Sequence, residues 1–332
     1  MFPDYIASPC RSNYSYFWSA DYLRTAYHCT AIITIPLSIL TFYVIWAITP
    51  QKMRNMKWPL IISHCWSVNL DLIFTVLSAP LVFGPSAAGL PLGLLGDLGV
   101  PTKVQAYWGQ VSLIMCGICF VMLFENRQSQ MITIKFKISK SSTRITYFLI
   151  NYILALLLVL PFYLDDSDQL VLRKTVLEKT PCPTIDFYNP NTLVLISNGN
   201  FLTFLATITG LSLIIFQSLF FLIPTTYHLF HVNKNFSKAT RTLQRKFLGC
   251  VSIQLLIPWT ALCTPLLYII YSDKTSFYNQ AYNNNAMLAM STHGLFSSTC
   301  TLLIYKPYRD FVKELIGGKS KVSPSVDLQV IA

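Results

Sequence analysis

The chain has 332 residues, of which 53% are hydrophobic and only 12% charged, with a formal net charge of +11. Soluble domains carry about 25% charged residues, so half that share, with a mean hydropathy of +0.48, excludes an ordinary soluble globule and a disordered chain. Charge is confined to short clusters between long uncharged stretches, the pattern of a polytopic helical membrane protein.

Residues 1–24 show no basic start followed by an apolar core, so the first span is expected to direct insertion itself. The uncharged stretches then run for 27 residues between Arg24 and Lys52, 21 between Lys103 and Glu125, and 20 between Arg144 and Asp165. Further on they run for 47 between Asp186 and Lys234, 26 between Lys246 and Asp273, and 31 between Lys274 and Lys306. From Lys57 to Asp97 the stretch is broken only by Asp71. A membrane-crossing helix needs about 20 residues, and the start of the 47-residue stretch is rich in turn formers, so each stretch holds one span. The expected fold is all-α, a seven-transmembrane helix bundle with spans at 25–48, 59–82, 104–124, 145–164, 200–224, 247–271 and 286–305. The seventh is polar for a lipid-facing helix (Ser291, Thr292, His293, Ser297, Ser298) and suits one whose neighbours satisfy these groups. After it, Tyr308, Phe311, Val312 and Leu315 recur at helical spacing, which predicts a short amphipathic helix over 308–316 lying in the inner interface.

Eighteen Lys and Arg residues fall in the loops after spans one, three, five and seven, against seven on the other side. The basic side is therefore read as cytoplasmic, with residues 1–24 extracellular, 25–305 in the membrane and 306–332 a cytoplasmic tail. The same loops account for the net charge as contacts with anionic membrane lipid, and no nucleic-acid motif accompanies them. The sequon at Asn13 falls outside, where glycosylation occurs, and that at Asn235 falls inside. Seven of the nine cysteines lie in spans and read as small apolar residues. Cys116 and Cys119 form a CxxC with no second pair, so no metal and no cofactor is expected.

Enzyme signatures are absent: there is no HExxH, no GxSxG, no glycine-rich phosphate loop and no pair of intramembrane carboxylates. No internal repeat marks a transporter. Seven spans with these features point to a receptor that signals by helix rearrangement, with a chemosensory ligand-gated channel or transporter as the rival class.

Local motifs sharpen this reading. Span three ends in Phe124-Glu125-Asn126-Arg127. Around it stand Thr49-Pro50 and Met53, Lys57-Trp58, His64, Trp66-Ser67 and Asp71. Arg241 and Gln244 lead to Gln254 and Ile257-Pro258, and Lys306-Pro307-Tyr308-Arg309 follows span seven. From about residue 10 to 316 the chain resembles the nematode serpentine receptor class H family. The resemblance implies a G-protein-coupled chemoreceptor in the plasma membrane of sensory neurons, at their cilia. It also implies a heterotrimeric G protein and a small-molecule ligand as partners. No NPxxY closes span seven and no Cys tops span three, unlike the rhodopsin pattern.

The candidate sites follow. Arg127, with Glu125 and the basic loops at 135–140 and 234–246, is the candidate G-protein contact; its alternative role is to set topology. Asp71, mid-span, should face the bundle, with Asn69 through water and Ser291 or Ser297 as partners, and either a bound Na⁺ or a protonated carboxyl fits. A ligand pocket is expected between the outer halves of spans three, five, six and seven. Tyr107, Trp108, Gln110, Tyr268 and Tyr271 are its candidate linings, or alternatively members of the interfacial aromatic belt. Cys10 and Cys182 are the two cysteines on the oxidising side and are expected to pair, tying the loop at 165–198 over the pocket. Class H receptors resemble this chain in carrying cysteines in both regions.

Overall fold

The computed structural model describes residues 15–131, 134–164, 168–180, 182–196, 201–228, 230 and 238–317. Seven long helices form a bundle. They are α1 (Ala20–Tyr43), α2 (Arg54–Leu72), α3 (Thr102–Ser129), α4 (Ser141–Val159), α5 (Phe201–Tyr227), α6 (Lys238–Thr275) and α7, which comes in two halves, Gln280–Ser291 and His293–Ile304. A short helix α8 (Lys306–Leu315) follows. Wide π-helical turns extend α1 to Ile48 and α2 to Leu77. Among the described residues, six of the seven are long and apolar enough to cross a membrane by length and composition. The remaining one, α6, has 38 residues. At ~1.5 Å per residue it is about 57 Å long, so it carries its charge-free stretch across and projects beyond it on the basic side.

Local chemistry sets the helix ends. Ser19 Oγ accepts from the Tyr22 N–H at 3.1 Å to start α1, with Asp21 in the first turn. Asn279 Oδ1 does the same for α7 through the Tyr282 N–H. Pro307 sits in the first turn of α8, where its missing N–H costs nothing. Span two stops short of the expected residue 82. Ala79 precedes a proline, which disfavours the helical region, and it turns to φ 46°. Residues Pro80–Val82 then run as a strand.

That strand, β1, pairs antiparallel with β2 (Ala87–Pro91), and β2 pairs antiparallel with β3 (Leu193–Ile196) from the loop between α4 and α5. The hairpin is anchored onto the end of α2 by Leu92 and Gly93 N–H groups that donate to the Ser78 carbonyl. Gly93 is required there, because a Cβ would lie 2.6 Å from the carbonyl oxygens of Val76 and Leu77. A second helix from the same loop, Gln169–Lys179, is capped by Asp168, whose Oδ1 accepts from the Leu170 N–H at 2.8 Å. Its Gln169 side chain donates to the Val194 carbonyl and accepts from the Val194 N–H, acting as a further strand on the edge of β3. On the other edge, the Tyr27 hydroxyl donates to the Pro80 carbonyl and Gln280 Nε2 to the Val82 carbonyl.

Alternate residues of the sheet lie on opposite faces. Leu81, Ala88, Leu90 and Val194 are buried in one cluster with Val176 and Leu177 of the loop helix and with Phe187. α3 runs through the middle of the bundle and packs against α2, α4, α5 and α6, while α7 packs against α1, α2 and α6. At the opposite end a second core gathers Val44, Ile45, Leu60, Leu123, Leu302 and Tyr308. Here α8 is stapled to the end of α1 by the Tyr308 and Thr49 hydroxyls, 2.6 Å apart. Tyr308, Phe311 and Val312 face the bundle, whereas Leu315 is exposed.

Candidate functional site

Beneath the sheet lies a cavity of about 460 Å³. The sheet presents Pro80, Val82, Gly89, Pro91 and Leu193 to it as a roof. α3 contributes Gln105, Ala106, Gly109, Gln110 and Leu113; α6 contributes Leu266, Ile269, Ile270 and Asp273; α7 contributes Met287 and Met290. Positions 106, 109, 110 and 113 form one helical stripe.

Of the five aromatic and amide linings expected from the sequence, Gln110 lies on this wall and the other four do not. Tyr107 turns to α4, its hydroxyl donating to the Leu156 carbonyl at 3.1 Å and its ring set edge-on to Tyr163. Trp108 turns toward α2, donating to Asn69 Oδ1 at 3.3 Å beside Trp66. Tyr268 donates to Asn283 Oδ1 at 3.0 Å, and Tyr271 is exposed beside Phe277. The helix turns about 100° per residue, so Tyr107 and Trp108 lie off the stripe that carries Gly109 and Gln110.

The roof is fixed by side-chain amides at the start of α7. Gln280 Nε2 reaches Asn284 Oδ1 as well as Val82, Asn283 Nδ2 donates to the Gly84 carbonyl, and Asn284 Nδ2 donates to the Phe17 carbonyl. The Tyr278 hydroxyl bridges Gln280 Oε1 and the Thr184 N–H. Residues 279, 280 and 283–285 are all amides, a density just ahead of an apolar span that the residues expected from the sequence do not include. In the same roof Arg173 donates to the carbonyls of Pro190 and Thr192, and burial lowers its pKa from the ordinary value. Burial raises the Asp186 carboxyl, with Asp21 adding to the rise and Arg24 opposing it.

Asp71 is buried in α2, and its Oδ1 accepts from the Gly294 backbone N–H at 2.9 Å. Gly294 follows the interruption of α7 at Thr292. A Cβ on it would lie 1.8 Å from Asp71 Oδ2, so only glycine admits the carboxylate. The partners expected from the sequence are engaged elsewhere. Asn69 donates to Ser112 Oγ, Ser291 donates to the Leu288 carbonyl, and Ser297 accepts from Thr301 through its backbone. The interruption leaves a backbone N–H pointing at α2, and that donor reaches Asp71 first. Beside it His293 Nδ1 lies 3.2 Å from Ser67 Oγ, and its ring lies 6.4 Å from Phe120, which also touches Trp259 of α6. His293 belongs to the polar run of span seven that suits a bundle-facing helix, whereas Gly294 beside it carries no such signal in the sequence.

At the basic end, Glu125 does not pair with Arg127. Residues two apart on a helix point to nearly opposite sides, and buried Glu125 instead accepts from Arg144 Nε of α4 at 3.0 Å. Arg127 Nη1 donates to Gln130 Oε1 at 2.9 Å. Lys137 Nζ donates to the Met131 carbonyl, and Arg245 lies over the Phe230 ring. Cys182 is disulfide-bonded. Its expected partner Cys10, and both sequons at Asn13 and Asn235, lie outside the described residues. Among the described residues no group of three or more His, Cys, Asp or Glu side chains is placed to hold a metal ion.

Known proteins match this chain along most of its length. It is 29% identical over 303 residues to serpentine receptor class H-72 of Caenorhabditis elegans, covering 90% of this chain and 87% of that one. Its fold matches the crystal structure of squid rhodopsin with a TM-score of 0.54 at 9% identity, covering 94% of this chain and 89% of that one, a likeness of fold alone. The serpentine type 7TM GPCR chemoreceptor Srh family matches residues 18–318, and with that extent of match this multi-pass membrane chain belongs to the Srh chemoreceptor family.

Proposed function

We propose that the chain binds a small molecule in the cavity under the sheet and signals to a heterotrimeric G protein at its basic face. In this reading residues 1–24 are extracellular, 25–305 span the plasma membrane and 306–332 form the cytoplasmic tail. The membrane is that of sensory-neuron cilia, as the family implies. The carrying observation is the adjacency of cavity and hinge. Met290 on α7 and Ile73 on α2 line the cavity, and within four residues of them the two helices meet at the Asp71–Gly294 hydrogen bond. A ligand that displaces either wall therefore acts on the interruption of α7, and the lower half of α7 carries the movement to α8 and to the end of α3. Arg127 is the contact offered to the G protein when the bundle opens, and the Glu125–Arg144 pair holds α3 to α4 while it does. A disulfide from Cys182 to Cys10 would tie the N-terminal segment over the roof, and Asn13 would carry glycan beside it.

The test is a ligand screen in cells expressing the chain with a promiscuous G protein and a calcium readout, with Gly109→Phe as the cavity-filled control. A response that Gly109→Phe removes supports the reading. A ligand-evoked current that persists when G proteins are blocked would favour the channel instead.

A further inference from the structure

We propose that the cavity takes an uncharged, mainly apolar molecule carrying one hydrogen-bonding head, and that the Gln110 amide receives that head. This rests on the reading of the cavity as the ligand site. The charged side chains among the described lining residues are Asp273 and Lys274, both in the last turn of α6. Below them the walls are hydrocarbon and thioether: Leu113, Leu266, Ile269, Met287 and Met290. An ionised ligand seated there would lose its hydration with no opposite charge to replace it, whereas a neutral one gains from every apolar contact.

Ser78, Ser86, Thr102, Gln105 and Ser276 add polar groups elsewhere in the lining, and Gln110 is the polar member of the α3 stripe. It lies eight residues into α3, about 12 Å from the helix start at ~1.5 Å per residue, and it is exposed on the cavity side. Among the described residues no hydrogen bond engages its amide. Gln105, less than two turns earlier, is half engaged: its Nε2 donates to the Val100 carbonyl at 2.8 Å, while its buried Oε1 has no hydrogen-bond partner among the described residues. A free amide offers donors and an acceptor together, so it suits a hydroxyl, ketone or ester and does not require charge. The volume of about 460 Å³ lies in the ~300–1,000 Å³ range of small-molecule sites and equals about fifteen waters at ~30 Å³ each.

The experiment uses the full chain in lipid nanodiscs and three photoreactive probes with one shared diazirine-bearing aliphatic chain: the alcohol, the alkane and the alkyl sulfonate. Labelling of peptides covering 102–113 and 266–274 is read by mass spectrometry, and only the part lost in Gly109→Phe is counted. An added Cβ at Gly109 makes ordinary contact, 3.7 Å from Ile73 Cγ2, so the ring extends into the cavity. The alcohol and alkane are expected to label these peptides and the sulfonate to leave them unlabelled. Gln110→Leu is expected to cut alcohol labelling roughly threefold to tenfold and to spare the alkane. Sulfonate labelling equal to that of the alcohol, alcohol labelling untouched by Gln110→Leu, or no Gly109→Phe-sensitive labelling by any probe would each overturn the proposal. Cavity labelling by the alcohol in a chain that never engages a G protein would leave this inference standing and remove the receptor reading. A Gly109→Phe-sensitive calcium response to a charged agonist would do the reverse.

Discussion

The two ends of the bundle are held by different means. At the sheet end the connections are polar and closely spaced. Amides from α7, a tyrosine from α1 and the loop helix all bond to backbone groups of β1, of the turn after it and of β3. At the basic end, the described polar ties between elements are well separated. Glu125–Arg144 joins α3 to α4, Tyr147 and Gln217 join α4 to α5, and Tyr308–Thr49 joins α8 to α1. Asn126 also donates to the Met56 sulfur and Arg245 to the Phe230 carbonyl; most of the remaining contact there is apolar packing, which can slide between arrangements in a way that a lattice of directed hydrogen bonds cannot. The difference teaches where motion is available: under the proposed signalling, the roof would stay in register while the opposite end opens.

The sharpest way to break that comparison is at the joint between the two regions. Gly294→Val should cost about 3 kcal/mol or more, by overpacking and by loss of the bond to Asp71, and should remove both surface expression and response. Combining Gly294→Ala with Asp71→Ala makes room for the new methyl, so surface expression should recover while the response stays impaired. Recovery of full response in the double variant would detach the joint from signalling.

Next in size is Arg127→Ala, expected to abolish the calcium response at unchanged surface level. Unaltered signalling would leave Arg127 as a topology charge alone. Asn283→Leu probes the roof, since it removes a donor to Gly84 and an acceptor for Tyr268. A loss of about 1–3 kcal/mol is expected as a lower thermal midpoint. Its counterpart at the basic end, Tyr308→Phe, deletes one hydroxyl and should cost only about 0.5–1.5 kcal/mol, with basal signalling rising rather than stability collapsing. If the two midpoints fell equally, the two ends would be alike.

The smallest effect is a pH effect. Burial raises the Asp186 carboxyl above its ordinary value, so the folded roof binds that proton more tightly than the unfolded chain does. Acidification through the raised pKa should therefore stabilise the roof, and this stability should fade as pH rises past it. Hydrogen-exchange protection of residues 185–188, taken relative to the unfolded-chain rate at each pH, is the check: it should be greater at the lower pH in the native chain and independent of pH in Asp186→Asn.

The seven spans were legible because crossing a membrane imposes about twenty apolar residues on each, a requirement that no neighbour can waive. The hairpin was not. Pro80, Leu81 and Val82 read as the tail of span two, and the sheet they form with β2 is completed by β3 from a loop a hundred residues away. The cavity wall was missed for a related reason. Tyr107 and Trp108 are the conspicuous residues of this segment, yet a cavity forms where side chains are small, and it is Ala106 and Gly109 that leave the space. Asp71 was legible as a buried carboxylate because its cost in a membrane demands a partner. The partner was not, because it is a backbone N–H exposed by an interruption that no side chain at Thr292 announces.

Sheets with open edges recruit further strands. Here the Pro80 and Val82 carbonyls on β1 are taken by Tyr27 and Gln280, and both backbone groups of Val194 on β3 are taken by Gln169. A peptide cannot join this ladder as a fourth strand without first evicting a side chain. Nor can two copies lying side by side in a crowded bilayer zip their sheets together. The chain can thus carry a sheet at this end of its bundle without offering the Pro80, Val82 or Val194 carbonyls as free edge groups.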